Sequence, residues 1–236
     1  MSNNYFKFKQ FTIVQDGCAM KVGTDGCLLG GWFNCSDSNE ILDIGCGSGL
    51  IAIMAAQRSD ARITGIEIDR NASLQAIENA NNSPWKEQIN IINCDFLEYS
   101  TDIKFDTIVC NPPYFVNSLK CDISERTLAR HSDSLSSNDF FAKCTEISTS
   151  AARIAIVIPC DIMNDWKKSA EENGFYPHRT TFIKTTPKKA PKRVLIEFQR
   201  TKTGETTEST LILENTPGEY SDEAKNILRD FYLKIE

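Results

Sequence analysis

The tetrapeptide Asn111-Pro112-Pro113-Tyr114 has the most distinctive chemistry in the sequence. Two prolines restrict the backbone, so the Asn111 amide oxygen and the Pro112 carbonyl can point the same way. Two such acceptors match both hydrogens of a planar NH2 group, and together with desolvation they would favour a tetrahedral, attacking nitrogen. Tyr114 offers a face on which a flat base or amide can stack. We predict that these four residues catalyse a reaction on an exocyclic or amide nitrogen.

A glycine-rich segment, Asp43-Ile-Gly-Cys-Gly-Ser-Gly49, provides a second site for chemistry. Gly45, Gly47 and Gly49 allow a tight turn and close approach of the backbone to a ligand. Glu67 follows 24 residues after Asp43, a spacing that suits a carboxylate gripping ribose hydroxyls. The acid that opens the turn would repel a pyrophosphate but would accept from an ammonium group. The segment therefore favours S-adenosylmethionine over a nicotinamide dinucleotide.

The pair Asp95-Phe96 completes the predicted cofactor site. The Asp95 carboxylate could accept from an adenine amine while the Phe96 ring lies near the adenine face. The alternative is that these residues are a cap and a core aromatic. Asp69 is predicted as the N-cap of the following helix.

These residues require a scaffold that brings distant segments together, and the apolar pattern predicts one. Strand-like runs at 40–44, 62–66, 89–93, 105–110 and 153–158 alternate with helix-like runs at 50–57, 71–81, 139–150 and 162–173. This alternation predicts an α/β fold with a parallel, doubly wound sheet, in which residues after the first four strands converge at one edge. Strands at 175–184, 194–200 and 209–214 predict an antiparallel C-terminal edge, followed by a helix at 222–233.

Composition bounds the remaining possibilities. With 236 residues, 41% hydrophobic and 25% charged, the chain is expected to form one domain, 1–236, with a lid or substrate-approach segment at 1–39 and the catalytic fold at 40–236. No apolar run reaches the roughly 20 residues of a membrane span and no signal sequence is evident, so a cytoplasmic protein is expected. The nine cysteines lack zinc-ligand spacing and are predicted to be reduced and mostly buried; no metal site is expected.

The formal net charge of −6 leaves the distribution of the basic residues as the deciding feature for nucleic-acid binding. Residues 184–193, KTTPKKAPKR, hold five basic residues and no acidic one. We predict RNA contacts from this hairpin, with a solvated surface loop as the alternative. Arg126 and Arg130, spaced to share a helix face, are a further candidate contact. The predicted hairpin contacts are Lys188, Lys189, Lys192 and Arg193.

The segments DIGCGSG, GIEID, NCDF and NPPY resemble the motifs of class I methyltransferases, in the same order over the first half of the chain. The resemblance implies a Rossmann-like fold, S-adenosylmethionine and methylation of a nitrogen. Residues 6–32, particularly FKQF and AMKVGTDGCLLG, are similar to the segment before the first motif in the bacterial tRNA1(Val) (adenine-37-N6)-methyltransferase family. That resemblance implies N6-methylation of adenine 37 beside the anticodon, by a monomer that binds the tRNA.

The same resemblance implies roles for the N-terminal residues. It assigns Lys21, Thr24 and Asp25 to the lip of the cofactor site. The residues assigned to the approach for the base are Phe8, Lys9 and Phe11. Without the resemblance, FKFKQF is an alternating edge strand and GTDG is a turn.

Other functions share the Asn-Pro-Pro-Tyr motif. An rRNA adenine-N6 or guanine-N2 enzyme remains an alternative. Protein glutamine-N5 enzymes carry a helical recognition domain before the first motif, for which the 42 residues before Asp43 are too few. DNA adenine enzymes need a target-recognition region, and no segment here is large enough. A NAD-dependent oxidoreductase and a binding module without catalysis are less favoured, because the turn and Asn111 are intact.

Overall fold

An eight-stranded sheet lies at the centre of the computed structural model, which describes residues 3–18, 20–112, 135–202, 204 and 206–235. A separate hairpin precedes it, formed by β1 (Tyr5–Lys7) and β2 (Thr12–Val14). The sheet strands are β3 (Glu40–Ile44), β4 (Arg62–Glu67), β5 (Ile89–Asn93), β6 (Phe105–Cys110), β7 (Ser148–Pro159), β8 (Tyr176–Lys184), β9 (Arg193–Gln199) and β10 (Thr207–Ile212). A short hairpin of β11 (Glu214–Thr216) and β12 (Glu219–Tyr220) follows.

Helices cover both faces of the sheet. The described helices are α1 (Thr24–Trp32), α2 (Leu50–Arg58), α3 (Arg70–Asn81), α4 (Ser137–Ile147), α5 (Met163–Glu172) and α6 (Asp222–Leu228). Single 3-10 turns lie at Lys86–Gln88 and Cys160–Ile162. No helix among these described residues is long and apolar enough to cross a membrane.

The strand order is β10-β8-β9-β7-β6-β3-β4-β5. Strands β3 to β7 run parallel, and β9 runs antiparallel to both of its neighbours. The predicted doubly wound α/β fold is therefore confirmed. The predicted antiparallel edge needs one refinement, because β10 pairs with β8 in parallel and β9 alone reverses direction.

The central strands are apolar on both faces, which creates two cores. On one face, Ile41 and Ile63 pack with residues of α1, α2 and α6. On the other face, Leu42 and Ile108 pack with residues of α4 and α5. Because successive side chains alternate between faces, adjacent residues such as Ile41 and Leu42 belong to different cores.

Several elements differ from the sequence-based prediction, and the last helix ends at Leu228 rather than at residue 233. The segment TDGCLLGGW forms α1 rather than remaining a turn, and most of its residues are buried. It is apolar around most of its circumference, so it lacks the one-sided period that predicts a helix. Helix α4 ends at Ile147 and β7 begins at the next residue, whereas the helix was predicted to extend to residue 150.

The N-terminal hairpin is part of a core. Phe8, Phe11 and Ile13 are all less than 7% exposed, and the rings of Phe8 and Phe11 stack with centroids 4.5 Å apart. The Lys9 N–H donates to the Phe231 carbonyl at 2.7 Å. The described hairpin therefore packs onto the fold, and the division into a lid or substrate-approach segment at 1–39 and a catalytic fold at 40–236 stays a prediction.

The described cysteines are unpaired. Eight are present, at positions 18, 27, 35, 46, 94, 110, 144 and 160, and six of them are buried. Burial raises the pKa of Cys18 and of Cys27 to about 11, which leaves these thiols protonated at neutral pH and unreactive as nucleophiles. The prediction of reduced, mostly buried thiols is confirmed for this described set.

Candidate cofactor and amine site

The site lies where two parallel neighbouring strands end and the helices that follow them pack on opposite faces of the sheet. Strands β3 and β6 are adjacent, and Ile44 pairs with Cys110 at their carboxyl ends. The glycine-rich turn after β3 and Asn111 after β6 consequently emerge side by side. This is the topological switch point of the sheet, where α/β folds bind their ligands.

The glycine-rich turn has a conformation that side chains would disfavour. Gly45, Gly47 and Gly49 have φ values of 66°, 56° and 80°. A Cβ on Gly45 or Gly47 would meet no atom within 4 Å, whereas one on Gly49 would lie 3.4 Å from Ala76 Cβ. Two of the glycines thus line open space that a ligand can fill, and the third allows the turn to pack against α3.

Glu67 supports the turn from β4. Its Oε2 accepts from the Gly47 N–H at 2.8 Å, and its Oε1 accepts from the Asp69 N–H at 2.9 Å. A carboxylate oxygen can accept more than one hydrogen bond, so both oxygens keep capacity for ribose hydroxyls. Asp69 accepts from the Ala72 N–H at 2.8 Å, which confirms its predicted role as the N-cap of α3.

Asp43 lies beneath the turn rather than at its surface. The residue is 1% exposed, and its Oδ2 accepts from the Ala52 N–H in the first turn of α2 at 3.0 Å. Its Oδ1 has no hydrogen-bond partner among the described residues. Burial raises the pKa of Asp43 to about 7, with a smaller contribution from the charge of Glu67, while the Ala52 hydrogen bond opposes the shift.

The segment after β5 supplies polar and aromatic groups in different environments. Asp95 is half-buried and its Oδ1 accepts from the Leu97 N–H at 2.9 Å. Phe96 is 6% exposed, and its ring packs 5.9 Å from that of Phe140. Ile68, between Glu67 and Asp69, is 68% exposed and was not predicted from the sequence. The signal in the sequence is an apolar residue directly after Glu67, the acid predicted to bind the ribose.

Asn111 lies next to the turn and close to α1. It is half-buried, and Pro112 is buried. A Cβ on Gly26 of α1 would lie 3.7 Å from Asn111 Nδ2 and 3.4 Å from Leu50 Cδ2, so α1 lies in van der Waals range of the Asn111 side chain. The other catalytic predictions, Pro113 and Tyr114, and the RNA-contact predictions, Arg126 and Arg130, lie outside the described residues.

The predicted lip residues lie at the start of α1. Lys21 and Thr24 are exposed, and the N-cap residue Gly23 provides no side-chain cap. Asp25 accepts from the Arg193 Nε–H at 2.8 Å, which joins α1 to the first residue of β9. Arg193, predicted as an RNA contact, is therefore held in an ion pair with the lip.

Phe8, Lys9 and Phe11 lie far from the glycine-rich turn. Helix α2 begins at the turn and has nine residues, so its last residue lies about 13 Å further along the helix axis. Lys9 lines a cleft with Gln57 and Arg58 at that far end, and the Phe11 ring contacts Trp85, which precedes β5. Phe8 and Phe11 are buried, whereas Lys9 is exposed. Because of their distance from the turn, we leave these three residues out of the proposed site, and their role in the approach for the base stays a prediction.

The basic hairpin between β8 and β9 lies at the same edge of the sheet as Asn111. Ile183 and Pro159 both pair with Arg193, and Pro159 ends β7 beside β6. Lys188, Lys189 and Lys192 are exposed. The hairpin backbone is ordered by a hydrogen bond from the Lys184 ammonium to the Pro187 carbonyl at 2.7 Å.

Known protein sequences match this chain, in part or over its full length. The family model described as "Methyltransferase small domain" matches residues 21–141. The relative named tRNA1(Val) (adenine(37)-N6)-methyltransferase in Bacteroides fragilis is 44% identical over 238 residues, with 100% of both chains covered. The Parabacteroides distasonis relative of that name is 44% identical over 237 residues, again covering 100% of both chains.

A solved structure shows the same fold at low sequence identity. The crystal structure of a predicted O-methyltransferase from Agrobacterium tumefaciens matches with a TM-score of 0.68 at 16% identity, covering 88% of this chain and 96% of that one. This similarity establishes the methyltransferase fold, while the full-length relatives establish the closer relationship. The chain belongs to the tRNA1(Val) (adenine(37)-N6)-methyltransferase family.

Proposed function

We propose that the protein transfers a methyl group from S-adenosylmethionine to N6 of adenine 37 in tRNA1(Val). The observation that carries the proposal is the placement of Asn111 beside the glycine-rich turn, at the switch point between β3 and β6. The full-length relatives named for this reaction support the choice of substrate. An NH2 group presented to Asn111 would lie beside the ligand cradled by the turn.

The cofactor fits the groups present at the turn. The open space over Gly45 and Gly47 admits the backbone-contacting part of the ligand, and Glu67 accepts from the ribose hydroxyls. The orphaned Asp43 Oδ1 is buried, so it reaches the methionine ammonium through a bridging water. Lys21 and Thr24 at the lip contact the methionine carboxylate, a negative group favoured at a helix N-terminus.

The residues that would hold the adenine of the cofactor lie at the ends of β4 and β5. The Asp95 carboxylate would accept from the adenine amine, because a carboxylate has more than one acceptor site and the hydrogen bond from the Leu97 N–H uses only one of them. The exposed side chain of Ile68 covers one face of the ring. Phe96 supports this edge from the core through its contact with Phe140 rather than by stacking on the ligand.

Residues of the chain bind and orient the target amine. The electrophile is the sulfonium methyl that the cofactor supplies when bound. The Asn111 amide oxygen and the Pro112 carbonyl accept the two N6 hydrogens, which draws the lone pair out of the ring and toward the methyl carbon. The methyl group would pass from the sulfonium, which keeps the electron pair of the broken S–C bond, to N6, and the surplus N6 proton would be released to water. Pro113 fixes the backbone and Tyr114 stacks on the target base in this proposal.

The RNA approaches over the edge that carries the basic hairpin. Lys188, Lys189 and Lys192 are exposed there and contact phosphates of the tRNA backbone. Arg193 supports the hairpin through Asp25, and Arg126 and Arg130 are kept as further contacts. We further propose that a monomer acts on one tRNA in the cytoplasm.

The test is transfer of labelled methyl from S-adenosylmethionine to unmodified total tRNA, total rRNA and a release factor in parallel, followed by nucleoside and peptide analysis. We expect N6-methyladenosine at the anticodon-adjacent adenine of a valine tRNA. Label only in rRNA, or only on a glutamine of the release factor, would reject the substrate while leaving the nitrogen chemistry in place. No transfer to any of the three would reject the proposal as a whole.

A further inference from the structure

Helix α3 carries a row of amide side chains toward the N-terminal segment and the glycine-rich turn. The row consists of Asn71, Gln75 and Asn79, at i, i+4 and i+8 spacing, which places them on one face. Gln75 is 8% exposed and Asn79 is 1% exposed. Buried amides reduce stability unless their hydrogen bonds are made, so the partners of these side chains matter.

Asn79 makes three hydrogen bonds to two separate segments. Its Oδ1 accepts from the Val14 N–H at 2.9 Å, and its Nδ2 donates to the Val14 carbonyl at 2.8 Å. The same Nδ2 donates to the Ser48 carbonyl at 2.8 Å. One side chain therefore uses its acceptor and both donors to join the end of β2 to the glycine-rich turn.

The bond to Ser48 controls the shape of the turn. It fixes the orientation of the peptide unit between Ser48 and Gly49, where Gly49 has a φ of 80° and little intrinsic preference. Glu67 holds the neighbouring Gly47 N–H. Glu67 and Asn79 thus restrain two peptide units of the turn, 46–47 and 48–49, from two different elements, and the open face over Gly45 and Gly47 depends on both.

The bonds to Val14 control the lip. The next residue, Gln15, is 5% exposed, and its Oε1 accepts from the Val22 N–H at 2.8 Å. Val22 lies one residue before the N-cap of α1, whose Gly26 approaches Asn111. A displacement of Val14 would therefore be passed to the start of α1 and to the amine site.

We propose that Asn79 is a positioning residue that couples cofactor binding at the turn to the placement of residues 14–26 at the lip. Asn79 touches neither substrate. Because coupling is reciprocal, a cofactor that orders the turn also orders the lip through this side chain. The inference rests on the cofactor site proposed above and not on the identity of the RNA.

The experiment compares Asn79→Ala with Ser83→Ala. Ser83 follows the same helix and is 6% exposed; its hydroxyl donates to the Ala80 carbonyl and accepts from the Trp85 N–H. It contacts neither the turn nor β2 in these bonds, so it is a matched control for the loss of a buried polar group. The measurements are the Tm, the Kd for S-adenosylhomocysteine, and hydrogen exchange of residues 12–22 with and without that ligand.

For Asn79→Ala we expect Kd to rise by at least about tenfold and the ligand-induced protection of residues 12–22 to disappear. Ser83→Ala should lower Tm while Kd stays within about twofold and the protection is kept. If Asn79→Ala does not fold, Asn79→Asp keeps the acceptor for Val14 and removes both donors, and the same loss is expected.

A lowered Tm with unchanged Kd and unchanged protection in the Asn79 variants would reduce this residue to a packing role and overturn the inference. A wild-type chain that fails to bind S-adenosylhomocysteine would overturn the cofactor site as well. A wild-type chain that binds the ligand but does not methylate tRNA would overturn only the proposed substrate, because the Asn79 comparison needs no RNA.

Discussion

At the switch point, different side chains bind the target amine and the cofactor, so their roles can be tested separately. Asn111 is assigned to the target amine, and Glu67 and Asp43 to the cofactor side of the site. The Asn111→Ala variant should lower the rate of methyl transfer at least about 100-fold, because one of two amine acceptors is lost. Its Kd for S-adenosylhomocysteine should stay near the wild-type value in calorimetry.

The control for this variant is Asn39→Ala, at the start of β3 and therefore at the opposite edge of the sheet. It removes an amide that contacts Asp106 and should leave turnover unchanged. Near-normal turnover of Asn111→Ala would contradict the assigned role of its amide.

The buried Asp43 should give the protein a specific pH dependence. Burial raises its pKa to about 7, whereas an aspartate in the unfolded chain has a pKa of about 3.9. The folded state holds the proton where the unfolded chain has released it. This contribution to stability is complete below about pH 4 and is lost as pH rises through about 7.

We expect the free energy of unfolding of the wild type, relative to that of Asp43→Asn, to fall by on the order of 4 kcal/mol between these limits. Urea unfolding at constant ionic strength measures it. Asp16→Asn, at an exposed position, controls for the loss of one surface carboxyl. A difference between wild type and Asp43→Asn that does not change with pH would contradict the perturbed protonation.

At the scale of elements, the sequence predicted β3 to β9 and the helices between them because their apolar periods are clear. It could not predict α1, whose uniformly apolar residues give no preferred face, or the parallel direction of β10, which depends on where the chain re-enters the sheet. The buried amides Gln75 and Asn79 of α3 were also missed. Polar side chains on the inner face of a helix contradict the pattern that identifies the helix.

The β1–β2 hairpin offers a test between two roles for its aromatic residues. Phe8 is 1% exposed and stacks on Phe11, so Phe8→Ala should lower the free energy of unfolding by about 3–5 kcal/mol. The folded fraction should keep its KM for tRNA. Lys7→Ala, at the exposed residue next to Phe8 in the same hairpin, should change neither quantity. A raised KM without loss of stability would instead restore the predicted approach for the base.

For the whole molecule, the arrangement of charge matters more than its sum. The net charge of −6 disfavours contact with RNA in general, while the exposed lysines of the basic hairpin lie at the edge that holds Asn111. The sequence identified this basic run, but only the strand order showed that it shares an edge with the site. Amino-acid composition cannot show this, because it does not say where the basic residues lie in the fold.

The Lys188→Ala/Lys189→Ala variant should raise KM for tRNA and reduce the slope of log affinity against log salt by about 1 to 2. Turnover and the Kd for S-adenosylhomocysteine should be unchanged, because neither side chain reaches the turn. Filter binding at several salt concentrations measures the slope. The matched control, Lys104→Ala/Lys202→Ala, removes two exposed lysines near the opposite edge. Equal effects of the two variants would show that the hairpin is not the RNA contact.

The contact between the N-terminal hairpin and the segment after α6 has a consequence for the order of folding. The Lys9 ammonium donates to the Arg229 carbonyl at 2.6 Å across 220 positions of sequence, and the Phe6 ring lies 5.7 Å from that of Tyr232. Contacts across such a separation carry a high loop-closure entropy and form slowly. The central sheet should therefore assemble first, with this seam closing last. In refolding kinetics, substitutions in the seam should accelerate unfolding while leaving the refolding rate almost unchanged.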